Sequence, residues 1–213
     1  MNIVIIDYNS GNLASLKNSL ENAAFNFKKN IKISISNKPE VIVNADKLIL
    51  PGVGDFLNCR EQLLKIKGMK EVIDEFIKKK SRPFLGICIG MQLMGKVSHE
   101  RGKNKGLELI NAEVVKIRSQ ASNIRVPHMG WNNIKIKKKS NKNFLSLDRS
   151  DFYFVHSYHM KCNNKNDVLA CVDYGEEIVA AICKDNILGV QFHPEKSQLT
   201  GKKFLQKFFN WTP

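Results

Sequence analysis

The chain opens with a continuous apolar run of strand length, Asn2-Ile-Val-Ile-Ile6, closed by the turn cluster Asp7-Tyr-Asn-Ser-Gly11 before Leu13, Leu16 and Leu20 fall into helical spacing. Ile31, Ile33 and Ile35 alternate with polar residues as a second strand, and Lys47-Leu-Ile-Leu50 makes a third, stopped by Pro51-Gly-Val-Gly54. Asp55 is placed to cap a helix. Residues 69–80 carry Val72, Ile73, Phe76 and Ile77 at helical spacing, with acids early and lysines late as the helix dipole favours, and 83–87 return to strand. Short apolar strands alternating with helices predict a doubly wound parallel sheet covered by those helices.

After about residue 106 the pattern changes to strand-like segments at 113–117, 133–137, 152–160, 168–172, 178–183 and 187–192, several of them expected to pair as antiparallel hairpins. The tail, 200–211, sets Phe204, Leu205, Phe208 and Phe209 on one stripe, as a closing helix would. The fold class is α/β: a central, mostly parallel sheet flanked by helices, with an additional antiparallel β region. The length, 213 residues, suits one domain over 1–213.

Composition narrows the function classes. Hydrophobic residues at 43% and charged residues at 25% match a folded globular chain, not a disordered, collagen-like or disulfide-built one. No run resembles a signal peptide or a membrane span, so a cytoplasmic protein without a membrane partner is expected. Five cysteines without a CxxC pair fit reduced thiols, with no metal and no cofactor called for. His156 and His159, three apart on a predicted strand, would face opposite sides and make a poor metal pair. The net charge of +14 raises nucleic-acid binding, but the lysines form short knots at 78–80, 137–139 and 202–203 without interleaved aromatics to stack on bases. They read as solvated faces, and no nucleic-acid partner is expected.

Gly86-Ile-Cys88-Ile-Gly90, between a buried strand and the start of a helix, has the Gly-x-nucleophile-x-Gly form with cysteine as the nucleophile. A sharp strand-to-helix turn needs the glycines, and the helix start favours a thiolate. Taken alone, the pentapeptide fits a small buried cysteine between packing glycines equally well. Gly189-Val-Gln-Phe-His193-Pro-Glu195 supplies the partner: a base at a strand end, with a carboxylate two residues on to orient it. Together they predict a Cys88–His193–Glu195 triad. The backbone amides of Ile89 and of the Gly52–Val53 loop are expected to converge as oxyanion donors. The Gly-x-Gly of Pro51-Gly-Val-Gly54 lacks the third glycine and the lysine of a phosphate loop.

These motifs resemble the class I, triad-type glutamine amidotransferases. Asp7-Tyr-Asn-Ser-Gly-Asn-Leu13, Pro127-His-Met-Gly-Trp-Asn132, Phe154-Val-His-Ser-Tyr158 and Gln191-Phe-His-Pro-Glu-Lys-Ser-Gln198 are more closely similar to the glutaminase subunits of imidazole glycerol phosphate synthases. The resemblance implies that fold, hydrolysis of L-glutamine to glutamate and ammonia through a Cys88 thioester, and a heterodimer with a (β/α)8-barrel cyclase that uses the ammonia in histidine biosynthesis. It implies glutamine-binding roles for Gly52, Gln92, Glu100, Ser157 and Tyr158. Asn12, Met129, Trp131 and Asn132 match the face toward the cyclase. From the residues alone, the better reading of Trp131 is an ordinary half-buried anchor, and that of 156–158 a strand that simply packs. The segment Gly95-Lys-Val-Ser-His-Glu100 departs from the more aromatic and acidic family pattern. A paralogue supplying ammonia to amidate a nucleotide sugar for surface polysaccharide is a second reading, and a catalytically inactive binding or scaffold protein is a third.

Overall fold

The computed structural model describes residues 1–25, 27, 30–118, 124–137 and 141–213. In chain order the elements are β1 (Asn2–Ile6), α1 (Leu13–Ala24), β2 (Lys32–Ser36), α2 (Pro39–Ile42), β3 (Lys47–Leu50), α3 (Phe56–Lys65), α4 (Met69–Asp74), β4 (Phe84–Ile87), α5 (Ile89–Leu93), β5 (Val97–Ser98) and β6 (Asn104–Lys105). There follow β7 (Ala112–Lys116), β8 (His128–Ile136), β9 (Asp151–His156), β10 (Tyr158–Cys162), β11 (Val168–Asp173), β12 (Glu177–Lys184), β13 (Ile187–Val190) and α6 (Gln198–Asn210).

Nine strands form one sheet in the order β2-β1-β3-β4-β13-β12-β11-β8-β9. The first five run parallel, and the pairs from β13 to β9 are antiparallel. The expected antiparallel region thus largely continues the parallel sheet. β3, β4 and β13 are buried along their whole length, which is why they read as unbroken apolar runs instead of alternating ones. A second sheet, β10-β7-β5-β6, holds the remaining strands. Asn12 caps α1 through Ser15 N, and Asp55 caps α3 through Asn58 N at 3.0 Å. Phe204, Leu205, Phe208 and Phe209 are buried on the stripe of α6, which packs on α1.

Four sequence expectations change. The strand expected over 152–160 is cut at Ser157: β9 pairs with β8 in the large sheet, whereas β10 pairs with β7 in the small one. The cut has a trace in the sequence, because Phe152, Phe154 and His156 keep a period of two that His159 and Met160, both buried, break. His156 and His159 therefore lie on different strands, so counting residues along one strand does not relate them. β8 begins at His128, five residues before the expected start, so the segment around Trp131 is part of the strand. The helix over 69–80 ends as a wide π turn, Glu75–Lys79, whose irregular end is satisfied by Asn186 donating to the carbonyls of Ile77 and Arg82. The last strand stops at Val190, leaving Gln191 and Phe192 in the loop that carries His193. The short α2, β5 and β6 carry too few residues for periodicity to reveal.

Lysine knots are partly used locally: Lys78 pairs with Asp74 at 2.7 Å, Lys80 donates to the Val43 carbonyl, and Lys137 pairs with Glu177. Lys138 and Lys139 lie outside the described residues. No helix among the described residues is long and apolar enough to cross a membrane.

Gly201 in α6 tests packing against propensity. Alanine there gains about 1 kcal/mol of helix propensity, but its methyl would overlap the Pro194 carbonyl oxygen. Overpacking against backbone costs about 1–3 kcal/mol or more, so Gly201→Ala should lower the melting temperature by several degrees in thermal unfolding.

Candidate active site

β4 delivers the chain to Cys88 and α5 takes it away. Methyl groups at Gly86 and Gly90 would overlap backbone, at Gly90 the Leu50 carbonyl at the end of β3, so the turn closes only with glycine. Cys88 itself has φ +53, ψ −109, a backbone conformation that costs about 1–3 kcal/mol and is held by the packing around it. Its amide donates to the Val190 carbonyl at 2.8 Å, tying the turn to the end of β13.

The neighbouring loop brings the base. The His193 amide donates to the Tyr153 carbonyl on β9, and Ser197 Oγ bonds both the His193 carbonyl and the Tyr153 amide. His193 Nδ1 is 2.7 Å from Glu195 Oε1, with both side chains buried. Burial by itself would lower the imidazolium, but the Cys88 sulfur and the Glu195 carboxylate more than offset it and push it up to about 10. An imidazolium held between sulfur and carboxylate is suited to give a proton to a leaving amine.

Cys88 and His193 share a cavity of about 460 Å³ with Asn12, Val53, Ile89, Gln92, Glu100, Ser157 and Tyr158. The structure thus brings four of the five residues expected around glutamine, Gln92, Glu100, Ser157 and Tyr158, to the cavity of the nucleophile. Gln92 presents a buried Oε1 without a hydrogen-bond partner among the described residues. Glu100 accepts from the Phe56 amide at 2.9 Å, at the start of α3. Gly52 lies behind the cavity, where a methyl would crowd the Tyr8 hydroxyl and Ile89.

The oxyanion donors do not converge as expected. The Ile89 amide is taken by the Gly52 carbonyl at 3.4 Å, and the Val53 amide points to Ser10 Oγ, also at 3.4 Å. The reason is the grip of the β1–α1 loop: Tyr8 donates to the Pro51 carbonyl at 2.5 Å, and Ser10 Oγ also bonds the Val53 carbonyl. Both bonds that occupy the amides are at the long limit for hydrogen bonds, so rotating the Gly52–Val53 peptide forfeits little.

The residues expected to face a partner divide. Met129 and Trp131 alternate on β8, 61% and 49% exposed, whereas Asn132 lies on the other face of the strand, its amide donating to the Asp173 carbonyl at 3.0 Å. Asn12 sits at the cavity mouth as the cap of α1. Lys196, Pro127 and His156 also line the cavity, and none of them was given a role at this site from the sequence. Lys196 adjoins Glu195, so its place in the motif was the available signal. A separate cavity of about 600 Å³ between the two sheets contains none of these residues.

The whole chain compares with known proteins in the same terms. The family model "Glutamine amidotransferase class-I" matches residues 4–211. Imidazole glycerol phosphate synthase subunit HisH of Bradyrhizobium diazoefficiens is 42% identical over 216 residues, and that of Brucella melitensis 41% over 217, each alignment covering 100% of both chains. The chain belongs to the class-I glutamine amidotransferases, in the family of imidazole glycerol phosphate synthase subunit HisH. A solved glutamine amidotransferase, 16% identical, superposes with a TM-score of 0.70 over 97% of each chain, showing that this amidotransferase shares the fold.

Behind the triad the amidotransferase buries two more histidines, His128 and His156, 3.0 Å apart. Burial lowers His128 to about 4 and His156 to about 3, the latter despite its bond to the Tyr158 carbonyl. A histidine depressed in the folded state keeps its full stability above the unfolded value of about 6.5 and loses it as pH falls toward the folded value. His193, raised in the folded state, regains the last part of its contribution as pH falls from 7 to below 6.5 and so offsets only a small part of that loss. Urea unfolding should therefore show a loss of about 2 kcal/mol per buried histidine between pH 7 and 5, and His128→Phe should shrink that loss.

Proposed function

We propose that residues 1–213 act as one glutaminase domain, the ammonia-producing subunit of an imidazole glycerol phosphate synthase working in the cytoplasm. The observation that carries the reading is the cysteine on a glycine-bound turn sharing one cavity with a His193–Glu195 pair, in a chain of the HisH family. The sulfur of Cys88 attacks the side-chain amide carbon of L-glutamine. His193 gives its proton to the leaving nitrogen, releasing ammonia and a thioester, then takes a proton from the attacking water. Collapse of that adduct returns the thiolate and releases glutamate. Glu195 holds His193 in orientation. Gln92, Glu100, Ser157 and Tyr158 hold the substrate, and no cofactor enters.

Hydrolysis also needs oxyanion donors, which form when the Gly52–Val53 peptide rotates to present the Val53 amide beside that of Ile89. Their present pairing supports low activity of the subunit alone and activation by docking of a (β/α)8-barrel cyclase against Asn12, Met129, Trp131 and the strand of Asn132. The full-length likeness to HisH subunits favours the histidine pathway over a nucleotide-sugar paralogue, and the assembled cavity favours an enzyme over a scaffold.

Cys88→Ala should abolish glutamine hydrolysis, by at least about a thousandfold in kcat, while circular dichroism and melting stay near wild type. Glu195→Gln should lower kcat less, because His193 remains. Full activity of Cys88→Ala would remove the nucleophile. Trp131→Ala should weaken association with, or stimulation by, the cyclase without changing the basal rate, as read from glutaminase rate against cyclase concentration with and without acceptor ligand. Superimposable curves for variant and wild type would make Trp131 structural, and a wild type fully active alone would defeat the subunit reading.

A further inference from the structure

The glutaminase mechanism above leaves Gln191 without a task, yet it is fully buried and its Nε2 lies 3.6 Å from Cys88 Sγ. Its orientation is dictated by its neighbours. Gln92 Nε2 donates to the Tyr158 carbonyl at 2.9 Å and to Gln191 Oε1 at 3.1 Å. Turning the Gln92 amide over would set its oxygen against two oxygens, so the amino group faces them, and Gln191 has only its own amino group left for the sulfur.

The order extends outward. The Tyr158 carbonyl also receives His156 Nδ1 at 2.9 Å, which places the proton of that neutral ring on Nδ1 and a lone pair on Nε2. That lone pair accepts from His128 Nδ1 at 3.0 Å, so His128 too carries its proton on Nδ1. Its Nε2 is then an acceptor, facing Asn132 Nδ2 at 3.5 Å. Phe154 and Tyr174 stack on the His128 ring, 4.7 and 3.9 Å between centroids, and fix its plane. Every link has a single permitted direction: the donors from β8 and from Gln92 converge on the Tyr158 carbonyl, and from Gln92 they run through Gln191 to the sulfur.

We propose that Gln191 is a catalytic residue that donates its side-chain amide hydrogen to the Cys88 sulfur, and that Gln92, His156 and His128 are positioning residues that lock this donation through one buried chain of hydrogen bonds. The proposal rests on Cys88 being the nucleophile. The donor aligns the thiolate for attack and takes up the charge that returns to sulfur when the thioester is hydrolysed. It needs no ionisable group of its own. Among the described residues, the titratable groups around Cys88 are His193 from the loop after β13, with Glu195 behind it, Tyr8 and Cys59 from the β1 and α3 side, and Glu100, Tyr158 and Lys196 in the shared cavity.

Gln191→Met keeps the length and removes the donor. With iodoacetamide at pH 7 and peptide-resolved mass spectrometry, Cys88 alkylation should slow about tenfold or more, the other four cysteines serving as internal controls, and kcat should fall at least as far with little change in KM. His128→Phe should slow alkylation by a smaller factor, and the double variant should be no slower than Gln191→Met alone, since both act through one chain. A folded Gln191→Met protein with wild-type alkylation and kcat overturns the proposal. Nitrogen-15 imidazole spectra of the wild type test it without any variant: both His128 and His156 should be Nδ1–H tautomers, and an Nε2–H form of either overturns the chain. If wild-type Cys88 is not the fastest-alkylating cysteine, the nucleophile reading itself fails, while the tautomers still judge the chain separately.

Discussion

Backbone presses directly on backbone where the nucleophile turn meets the end of β3. Gly90 lies so close to the Leu50 carbonyl that no side chain fits, and a methyl at Gly86 would press on the backbone of Gly90 at the start of α5. That approach shortens the route from β4 to α5, places Cys88 at φ +53 and sets its amide on the Val190 carbonyl. Gly189 on β13 repeats the constraint, since a methyl there would crowd Met91 and Ile182. β13 is thereby drawn against the turn, and the residues that follow it, Gln191, His193 and Glu195, arrive on the nucleophile. Removing one glycine would separate the strand ends and with them every group in the site.

The three histidines nearest the reaction show how environment divides one residue type. His193 sits between a sulfur and a carboxylate and is held in its charged form, whereas His128 and His156 face each other, a carbonyl and aromatic rings and are held neutral. The first can hand over a proton at neutral pH. The other two can only orient, because a second charge beside His193 in a buried site would be repelled and poorly solvated. This division gives the site one mobile proton and a rigid polar wall behind it.

The Pro51–Gly54 loop is held on one side by Tyr8 and Ser10 and on the other by two long bonds of 3.4 Å, Ile89 to the Gly52 carbonyl and Cys59 Sγ to the Val53 carbonyl. Such an unequal grip leaves one peptide free to turn while the loop stays anchored. Val53, exposed on the surface, is where contact with a second protein would be felt. The positive charge of the chain takes no evident part in this: several lysines are spent on neighbouring carboxylates and carbonyls.

Local patterns were enough to lay out β1, α1, β3, α3, β4 and α6, because buried strands and amphipathic helices each leave a period in the sequence. The glycine-flanked cysteine and the His-x-Glu pair were legible for the same reason, being short segments with fixed internal geometry. Other features were set only by contacts between distant segments. Whether β9 and β10 belong to one sheet depends on which partners β8 and β7 offer, and no window of nine residues contains that choice. The direction of the Gly52 carbonyl depends on Ser10 and Tyr8, some forty residues away in the chain. Asn132 was grouped with Trp131 by the family resemblance, but the pleat of β8 puts them on opposite faces. Gln191 stood inside a recognised motif, yet its aim at Cys88 follows from Gln92 and Tyr158, because an amide has no preferred end until its neighbours supply donors and acceptors.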